Sequence, residues 1–192
     1  MKQYLKLIVF VVVLGAITSG LLVGMDLLTR DRIEQNREAL IKSTILDAHG
    51  ISYTFANIHD VFASTITVEE IDGLTFYINE STGFVSFEFL GGGVWGPIRG
   101  VLTLEDDFET IVKVGILEQE ETPGLGGIIA EARYLANFVG KLMVPSLEIN
   151  KDSAPNKDNE VDAITGATRT SKAFELLINE SYTLHLAAWE TR

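Results

Sequence analysis

The sequence has no cysteine among its 192 residues, and that absence removes several kinds of site. It excludes disulfides, iron–sulfur clusters held by thiolates and zinc–thiolate centres. Histidine is almost as scarce, because His49, His59 and His185 stand far apart and match no metal-ligand spacing. No nucleophile elbow or Ser–Lys pair is visible either, so we expect no metal ion and no catalytic side chain of that kind.

Positive charge is also in short supply. The chain carries 15 Lys and Arg against 27 Asp and Glu, a formal net charge of −12. Such a polyanion repels phosphate backbones, so we expect no nucleic-acid partner. With only 4 prolines beside 17 glycines, the composition is that of a folded protein.

Charge is missing altogether from one stretch near the N-terminus. Nineteen uncharged residues, LIVFVVVLGAITSGLLVGM, lie between Lys6 and Asp26. As a helix they span about 28 Å, close to the hydrocarbon thickness of a bilayer. A signal peptide is the alternative, but its apolar region would be long and residues 16–18 form a poor cleavage site. We therefore predict an uncleaved transmembrane anchor over residues 1–28, whose orientation the flanking charges do not choose.

The rest of the chain predicts an α+β fold: the transmembrane helix is followed by a mainly antiparallel sheet with flanking helices. A helical pattern over 26–48 ends at His49-Gly50, so residues 29–50 form a connecting helix and 51–192 a domain. Turn residues at 80–83 predict a hairpin. Further helices are expected at 128–140 and 170–188, with a polar linker at 150–159. The predicted strands are 51–57, 64–68, 73–79, 83–90, 98–104 and 109–117.

The most informative motif opens the last helix. Residues 162–168 read Asp162-Ala-Ile-Thr165-Gly166-Ala167-Thr168. Small residues before a helix leave its first N–H groups accessible, and a phosphate group binds well there. Arg169 and Lys172 add positive charge beside it. The alternative is that Thr168, Thr170 or Ser171 simply caps the helix.

Two glycine-rich stretches precede this motif. In Glu121-Thr122-Pro-Gly124-Leu125-Gly126-Gly, proline and glycines favour a tight backbone that a flat ligand can approach, although a plain turn would look similar. In residues 91–100, glycines surround Trp95, whose ring suits contact with an aromatic ligand but equally suits the core.

In this order, the N-terminal span, the Trp95 segment, the ETPGLG stretch and the DxxTGAT motif resemble one known family. It comprises the covalent FMN-binding subunits of ion-translocating redox complexes: the G subunit of the Rnf complex and the C subunit of the sodium-translocating NADH:quinone reductase. One departure is that Gln119 and Glu120 stand where family members often carry a histidine.

The resemblance implies a function and its residues. A separate flavin transferase would join FMN, as a phosphoester, to Thr168, and would recognise Asp162, Thr165, Gly166 and Ala167. The flavin pocket would include Trp95, and from the ETPGLG stretch Glu121, Thr122, Gly124, Leu125 and Gly126.

The protein would then relay electrons within a complex of other membrane subunits, with its domain on the extracytoplasmic side of the cytoplasmic membrane. The short soluble domain favours the Rnf-type G subunit, and the C subunit of the quinone reductase is the alternative. A membrane-anchored binding or scaffold domain without flavin is the alternative of a different class.

Overall fold

A computed structural model of the protein describes residues 2–151 and 156–192. The first element in the described chain is one long helix. This helix, α1 (Lys2–Ala48), runs through both the predicted anchor and the predicted connecting helix. Its apolar window has a mean hydropathy of 2.6 and exposed side chains, so by length and composition it can cross a membrane. The chain divides into two compact units after Ala39, and the domain limits 1–28, 29–50 and 51–192 stay a prediction.

The second unit is built on a five-stranded antiparallel sheet in the order β1-β2-β3-β4-β5. This arrangement confirms the predicted α+β fold and the hairpin at 80–83. The strands are β1 (Thr67–Ile71), β2 (Leu74–Ile78), β3 (Val85–Gly92), β4 (Pro97–Leu104) and β5 (Ile111–Glu118).

The predicted strand at 51–57 is wrong. The structure has no strand there, and a helix, α2 (Ile58–Thr65), follows instead. The Asn57 side chain accepts the Thr54 N–H at 2.6 Å and folds the segment into a turn. Phe55 is 84% exposed, so its ring covers no part of the sheet, whereas Ile51 and Tyr53 pack on a second apolar cluster at the end of α1.

The predicted helix over 128–140 is broken into three pieces. They are a 3₁₀ segment (Gly126–Ala130), a short helix α3 (Ala132–Leu135) and a second 3₁₀ segment (Ala136–Phe138). Glu131 separates the first two because its backbone is extended, with φ −77° and ψ 130°.

A small parallel pair of strands was not predicted. It joins β6 (Glu148–Asn150) to β7 (Glu160–Asp162), which flank the predicted linker at 150–159 and overlap it only at Asn150. Residues 152–155 of that linker lie outside the described residues.

The last helix, α4 (Thr168–Trp189), packs its apolar face on the sheet, as predicted. Its C-terminal half is held by rings. The His185 ring stacks on Phe87 with centroids 4.0 Å apart, and Trp189 stacks on Phe108 at 5.2 Å. Burial lowers the pKa of His185, whose Nδ1 lies 2.7 Å from the Ser181 carbonyl.

The second apolar cluster joins the end of α1 to α2 and β4 through Ile45, Leu46, Phe62 and Val101. Beside it, His49 is buried, with Nε2 lying 2.8 Å from the Ser86 hydroxyl. Burial lowers the pKa of His49 to about 4.

Candidate functional site

The Glu121 carboxylate is the centre of the candidate site. This side chain is only 4% exposed although it follows the end of a strand. Its Oε1 accepts the backbone N–H groups of Val94 at 2.6 Å and Trp95 at 3.1 Å. The ETPGLG stretch is therefore tied directly to the tip of the β3–β4 hairpin.

The second oxygen of the same carboxylate reaches α4. Glu121 Oε2 accepts the Thr170 hydroxyl at 2.7 Å. Gly126 is needed beside this bond, because a Cβ there would lie 2.5 Å from Glu121 Oε2 and 2.6 Å from Thr170 Oγ1. One buried carboxylate thus brings together all three stretches that the sequence singled out.

No side chain among the described residues caps the N-terminus of α4. Ala167 occupies the cap position, with φ −128° and ψ 43°. The Thr170 hydroxyl is used by Glu121, and Ser171 Oγ donates to the Ala167 carbonyl at 3.1 Å and accepts the Ile164 N–H at 3.0 Å. The capping alternative is therefore wrong, and the first N–H groups of a helix of this length have no intrahelical partner.

Thr168 is the first residue of α4, and its side chain is exposed. Within residues 2–151 and 156–192 its hydroxyl makes no hydrogen bond. Gly166, two residues earlier, has φ +85°, which favours glycine, and a Cβ there would lie 3.3 Å from Leu125 Cδ2. The Thr168 turn and the ETPGLG loop therefore pack side by side.

The two cations beside Thr168 differ. Lys172 Nζ lies 2.8 Å from Glu175 Oε2 and 3.0 Å from Asn150 Oδ1, so part of its charge is compensated. Arg169 is exposed and forms no ion pair with any part of the chain that the structure describes. A positive charge is thus available at the helix N-terminus, where an anion binds best.

Two apolar side chains of the predicted pocket face solvent. Trp95 is 71% exposed and Leu125 is 45% exposed. The core alternative for Trp95 is wrong, because a side chain exposed to that extent is not part of the buried core cluster. Exposed apolar groups near an accessible hydroxyl are suited to cover a flat ring.

The ETPGLG loop itself is a tight turn. The Thr122 carbonyl accepts the N–H groups of Leu125 at 3.1 Å and Gly127 at 2.9 Å, and Gly124 has φ +73°. These two N–H groups are engaged inside the loop and do not face a ligand. The Thr122 side chain is exposed.

Asp162 and Thr165 stand apart from the Glu121 contacts. Both are exposed, and Asp162 ends β7. Below it lies Tyr134, a buried side chain whose hydroxyl has no partner within the described ranges. Burial and the Asp162 carboxylate raise the pKa of Tyr134.

Sequence reasoning missed two members of this site as partners of Glu121. The Val94 contribution is a backbone N–H, which no side-chain pattern reveals. Thr170 was considered only as a possible cap, and its partner lies 49 residues away along the chain.

Comparison with known proteins addresses the same part of the chain. Residues 93–183 match the family described as FMN-binding domain. The match covers just under half of the chain. It runs from the hairpin tip to the middle of α4 and so contains every residue predicted for the flavin site.

Curated relatives include C subunits of Na(+)-translocating NADH-quinone reductases. The Neisseria meningitidis serogroup A protein is 36% identical over 90 residues, which are 44% of this chain and 35% of that protein. The Pseudomonas aeruginosa protein is 32% identical over 117 residues, 55% of this chain and 45% of the relative. The chain therefore spans less than half the length of these relatives.

Two crystal structures share the fold of the FMN-binding domain. Shewanella oneidensis NqrC has a TM-score of 0.67 at 19% identity, with 78% of this chain and 93% of the other covered. The corresponding Na(+)-translocating NADH-quinone reductase protein from Parabacteroides distasonis has a TM-score of 0.68 at 21% identity, with 79% and 92% covered. At these identities the likeness concerns the fold alone.

Proposed function

We propose that this protein is an electron-transfer subunit of a membrane-bound, ion-translocating oxidoreductase, and that it carries FMN joined to Thr168 as a phosphoester. One observation carries the proposal: the Glu121 carboxylate joins the Trp95 hairpin and the ETPGLG loop to the first turn of α4, beside an exposed and unbonded Thr168 hydroxyl. The match of residues 93–183 to the FMN-binding domain family supports it.

Thr168 is the anchor in this proposal. In the attachment step its hydroxyl oxygen forms a bond to the FMN-side phosphorus of FAD, the bond between the two phosphates breaks, and AMP leaves while the hydroxyl proton is lost. A threonine hydroxyl is a weak nucleophile, and among the residues that the structure describes no base is hydrogen-bonded to Thr168, so a separate flavin transferase would have to activate it. Thr165, Gly166 and Thr168 are exposed, whereas Ala167 is buried, so another enzyme can bind the turn through those three residues.

Residues around Thr168 have distinct tasks. The uncapped first turn of α4 and the free Arg169 would hold the phosphate. Trp95 and Leu125 would cover the ring, and Glu121 would fix the loops that carry them without touching the ligand. FMN supplies the redox chemistry, and the protein sets its position and electrostatic surroundings. In this scheme Asp162, Thr165, Gly166 and Ala167 form the surface that the transferase recognises.

The complex and the topology are also part of the proposal. The Rnf-type G subunit is our first assignment, and the curated relatives' names favour the C subunit of a sodium-translocating NADH:quinone reductase as the alternative. Helix α1 would be the single membrane span, with residues 40–192 on the extracytoplasmic side. Purifying the tagged chain after co-expression with the other subunits of each complex separately would discriminate the two assignments.

A membrane-anchored binding or scaffold domain without flavin is the remaining alternative. Intact-mass and visible-absorption measurements on the full chain, expressed with and without a flavin transferase, test it. The proposal expects a yellow protein heavier by one FMN less one water only when the transferase is present. A colourless protein of unmodified mass in both preparations would contradict FMN attachment and support the binding or scaffold alternative.

Topology needs its own test, because positive charges flank both ends of the apolar stretch. A reporter that is active only in the cytoplasm, fused after Arg192, should be silent. Strong reporter activity would overturn the extracytoplasmic location.

A further inference from the structure

Strand β3 is paired fully on one side and only partly on the other. Every residue of β3 has a partner on β4. On the opposite side, β2 pairs only with Val85 and Ser86. Within the part of the chain that the structure describes, the side of β3 away from β4 is therefore open over residues 87–92.

Two hydrogen bonds establish which backbone groups face this open side. At one end of β3, Gly93 N–H donates to the Gly96 carbonyl at 2.8 Å; at the other, Asn79 N–H donates to the Phe84 carbonyl at 3.0 Å. Hydrogen-bonded and non-bonded pairs alternate along antiparallel strands, so both bonds predict the same pattern. The residues whose N–H and C=O groups point to the open side beyond Ser86 are Glu88, Leu90 and Gly92.

A groove of about 350 Å³ runs between this edge and α4. Its apolar wall is formed by the α4 residues Leu176 and Leu184, each 58% exposed. Leu90 borders the groove from the strand, and its side chain belongs to the opposite face of the sheet from Phe87 and Phe89, which pack on α4. Gly91 is packed against Leu177, whereas Gly92 is exposed and a Cβ there would meet nothing within 4 Å, so the backbone at the end of the strand is accessible at Gly92. Exposed leucines beside unpaired strand groups are unusual in a protein that functions alone.

The groove also has a charge. Glu180 lines it on α4, is exposed, and forms no ion pair with residues 2–151 or 156–192. The chain as a whole has a net charge of −12. A ligand that fills the groove therefore gains from a basic side chain at the level of Glu180.

We propose that this groove binds an extended segment of a partner protein, which adds to β3 as a further strand. Its backbone pairs with Glu88, Leu90 and Gly92, alternate apolar side chains lie on Leu176 and Leu184, and a basic residue meets Glu180. Lipid chains leave the strand N–H groups unsatisfied. A second copy of this chain brings a strongly negative surface to the groove.

This interaction is independent of the flavin, because it rests on the edge of β3 and the side of α4. It is nevertheless close to the candidate site, since Gly92 precedes Trp95 by only three residues in the same hairpin. A partner strand bound here would end beside the hairpin tip.

Amide hydrogen exchange in the full chain, held in detergent micelles, tests the open edge directly. NMR should show fast exchange at Glu88, Leu90 and Gly92, and slow exchange at Phe87, Phe89 and Gly91, whose N–H groups face β4. Equal protection of all six amides would overturn the proposal, because the edge would then be covered.

Binding is tested with a short synthetic peptide in which valine alternates with threonine and one lysine is included. Its control is the same peptide with the pairing amides N-methylated. Fluorescence anisotropy should show saturable binding of the first peptide, with Kd raised at least tenfold by N-methylation and about tenfold each by Leu184→Ser and Glu180→Lys. Val139→Ser, at a side chain 55% exposed elsewhere on the surface, should leave Kd unchanged.

Three results contradict the proposal. No saturable binding of the unmodified peptide rules out strand addition, and equal binding of the N-methylated peptide shows mere apolar adhesion. Self-association of the full chain that Leu184→Ser abolishes would assign the groove to a second copy of the protein.

Discussion

Near its C-terminal end α4 is held to the sheet by stacked rings, whereas its first turn is held by a few polar contacts. Phe174, in the next turn, already packs on the rings of Phe89 and Phe138. His185 lies flat on Phe87, and Trp189 lies flat on Phe108. By contrast, the first turn is held by the Thr170–Glu121 hydrogen bond and by Ser171, which accepts the Ile164 N–H. The same helix thus has an apolar end and a polar end.

Stacked rings and polar contacts contribute differently to the domain. Ring burial is large and hardly directional, so it supplies stability. Hydrogen bonds to one buried carboxylate are directional and fix backbone groups in place, at a modest net gain in stability. We infer that the ring end stabilises the domain and the polar end holds a binding geometry.

The largest effect on stability is expected from Phe87→Ala. Phe87 is fully buried against His185, so the change should lower the free energy of unfolding by about 3–5 kcal/mol. Denaturant unfolding of the full chain in detergent measures it. Flavin attachment to the folded fraction should persist. Val68→Ala, at an exposed position of β1, serves as the control and should change stability by no more than about 0.5 kcal/mol. A loss below about 1 kcal/mol for Phe87→Ala would remove the ring end from its stabilising role.

The next largest loss of stability is expected on acidification, because His49 is buried in its neutral form. His49 is neutral in the folded state because burial lowers its pKa to about 4, whereas the unfolded side chain takes up a proton near pH 6.5. The contribution of neutral His49 to the free energy of unfolding is therefore complete above pH 6.5. It is lost as pH falls towards 4, by about 3 kcal/mol in total. Measuring the free energy of unfolding from pH 7 to pH 4 tests this loss of stability.

His49→Gln should flatten that pH dependence, and His59→Gln, at an exposed position, should leave it intact. The lowered pKa of His185 acts in the same direction, so some slope remains in the first variant. An unchanged slope in His49→Gln would contradict the assignment.

A smaller loss of stability is expected at the polar end. Glu121→Ala leaves the N–H groups of Val94 and Trp95 and the Thr170 hydroxyl without their acceptor, which should cost about 1–3 kcal/mol. It should also shift the visible absorption of the attached flavin. Glu121→Gln keeps an acceptor and should restore most of both properties. Glu120→Ala, next to it and exposed, should change neither; an unaltered spectrum in Glu121→Ala would refute the positioning role.

The smallest change in stability is expected from Trp95→Ala. Because the indole is 71% exposed, the free energy of unfolding should stay within about 0.5 kcal/mol, while the flavin spectrum shifts. Trp189→Ala is the matched control at the other end of α4. It should lower stability by more than about 1 kcal/mol and leave the spectrum unchanged. The reverse pattern would exchange the roles of the two ends.

Sequence reasoning succeeded where a signal is local. Alternating apolar residues and a turn at 80–83 located the β2–β3 hairpin, and the period of the apolar residues located α4. It failed where a distant or conformational cause decides, as at Glu131, whose extended backbone breaks the helix predicted over 128–140. Residues 51–57 also looked like a strand, but no neighbouring strand pairs with them.

The candidate site shows the same limit. Glycines and the motif at 162–168 marked its three stretches, because conformational freedom and small size are visible in a sequence. That Glu121 unites them is not visible, since its contacts lie 26, 27 and 49 residues away. Whether Trp95 is buried or exposed depends on those contacts as well.

The most direct test of the account is in-gel flavin fluorescence of denatured Thr168→Val, expressed as the full chain with a flavin transferase. Valine keeps the shape of threonine but lacks the hydroxyl. Thr183→Val removes an exposed hydroxyl further along α4 and is the control. The account predicts that fluorescence disappears for Thr168→Val, with the fold intact, and persists for Thr183→Val. Fluorescence that survives denaturation in Thr168→Val would contradict attachment at the N-terminus of α4.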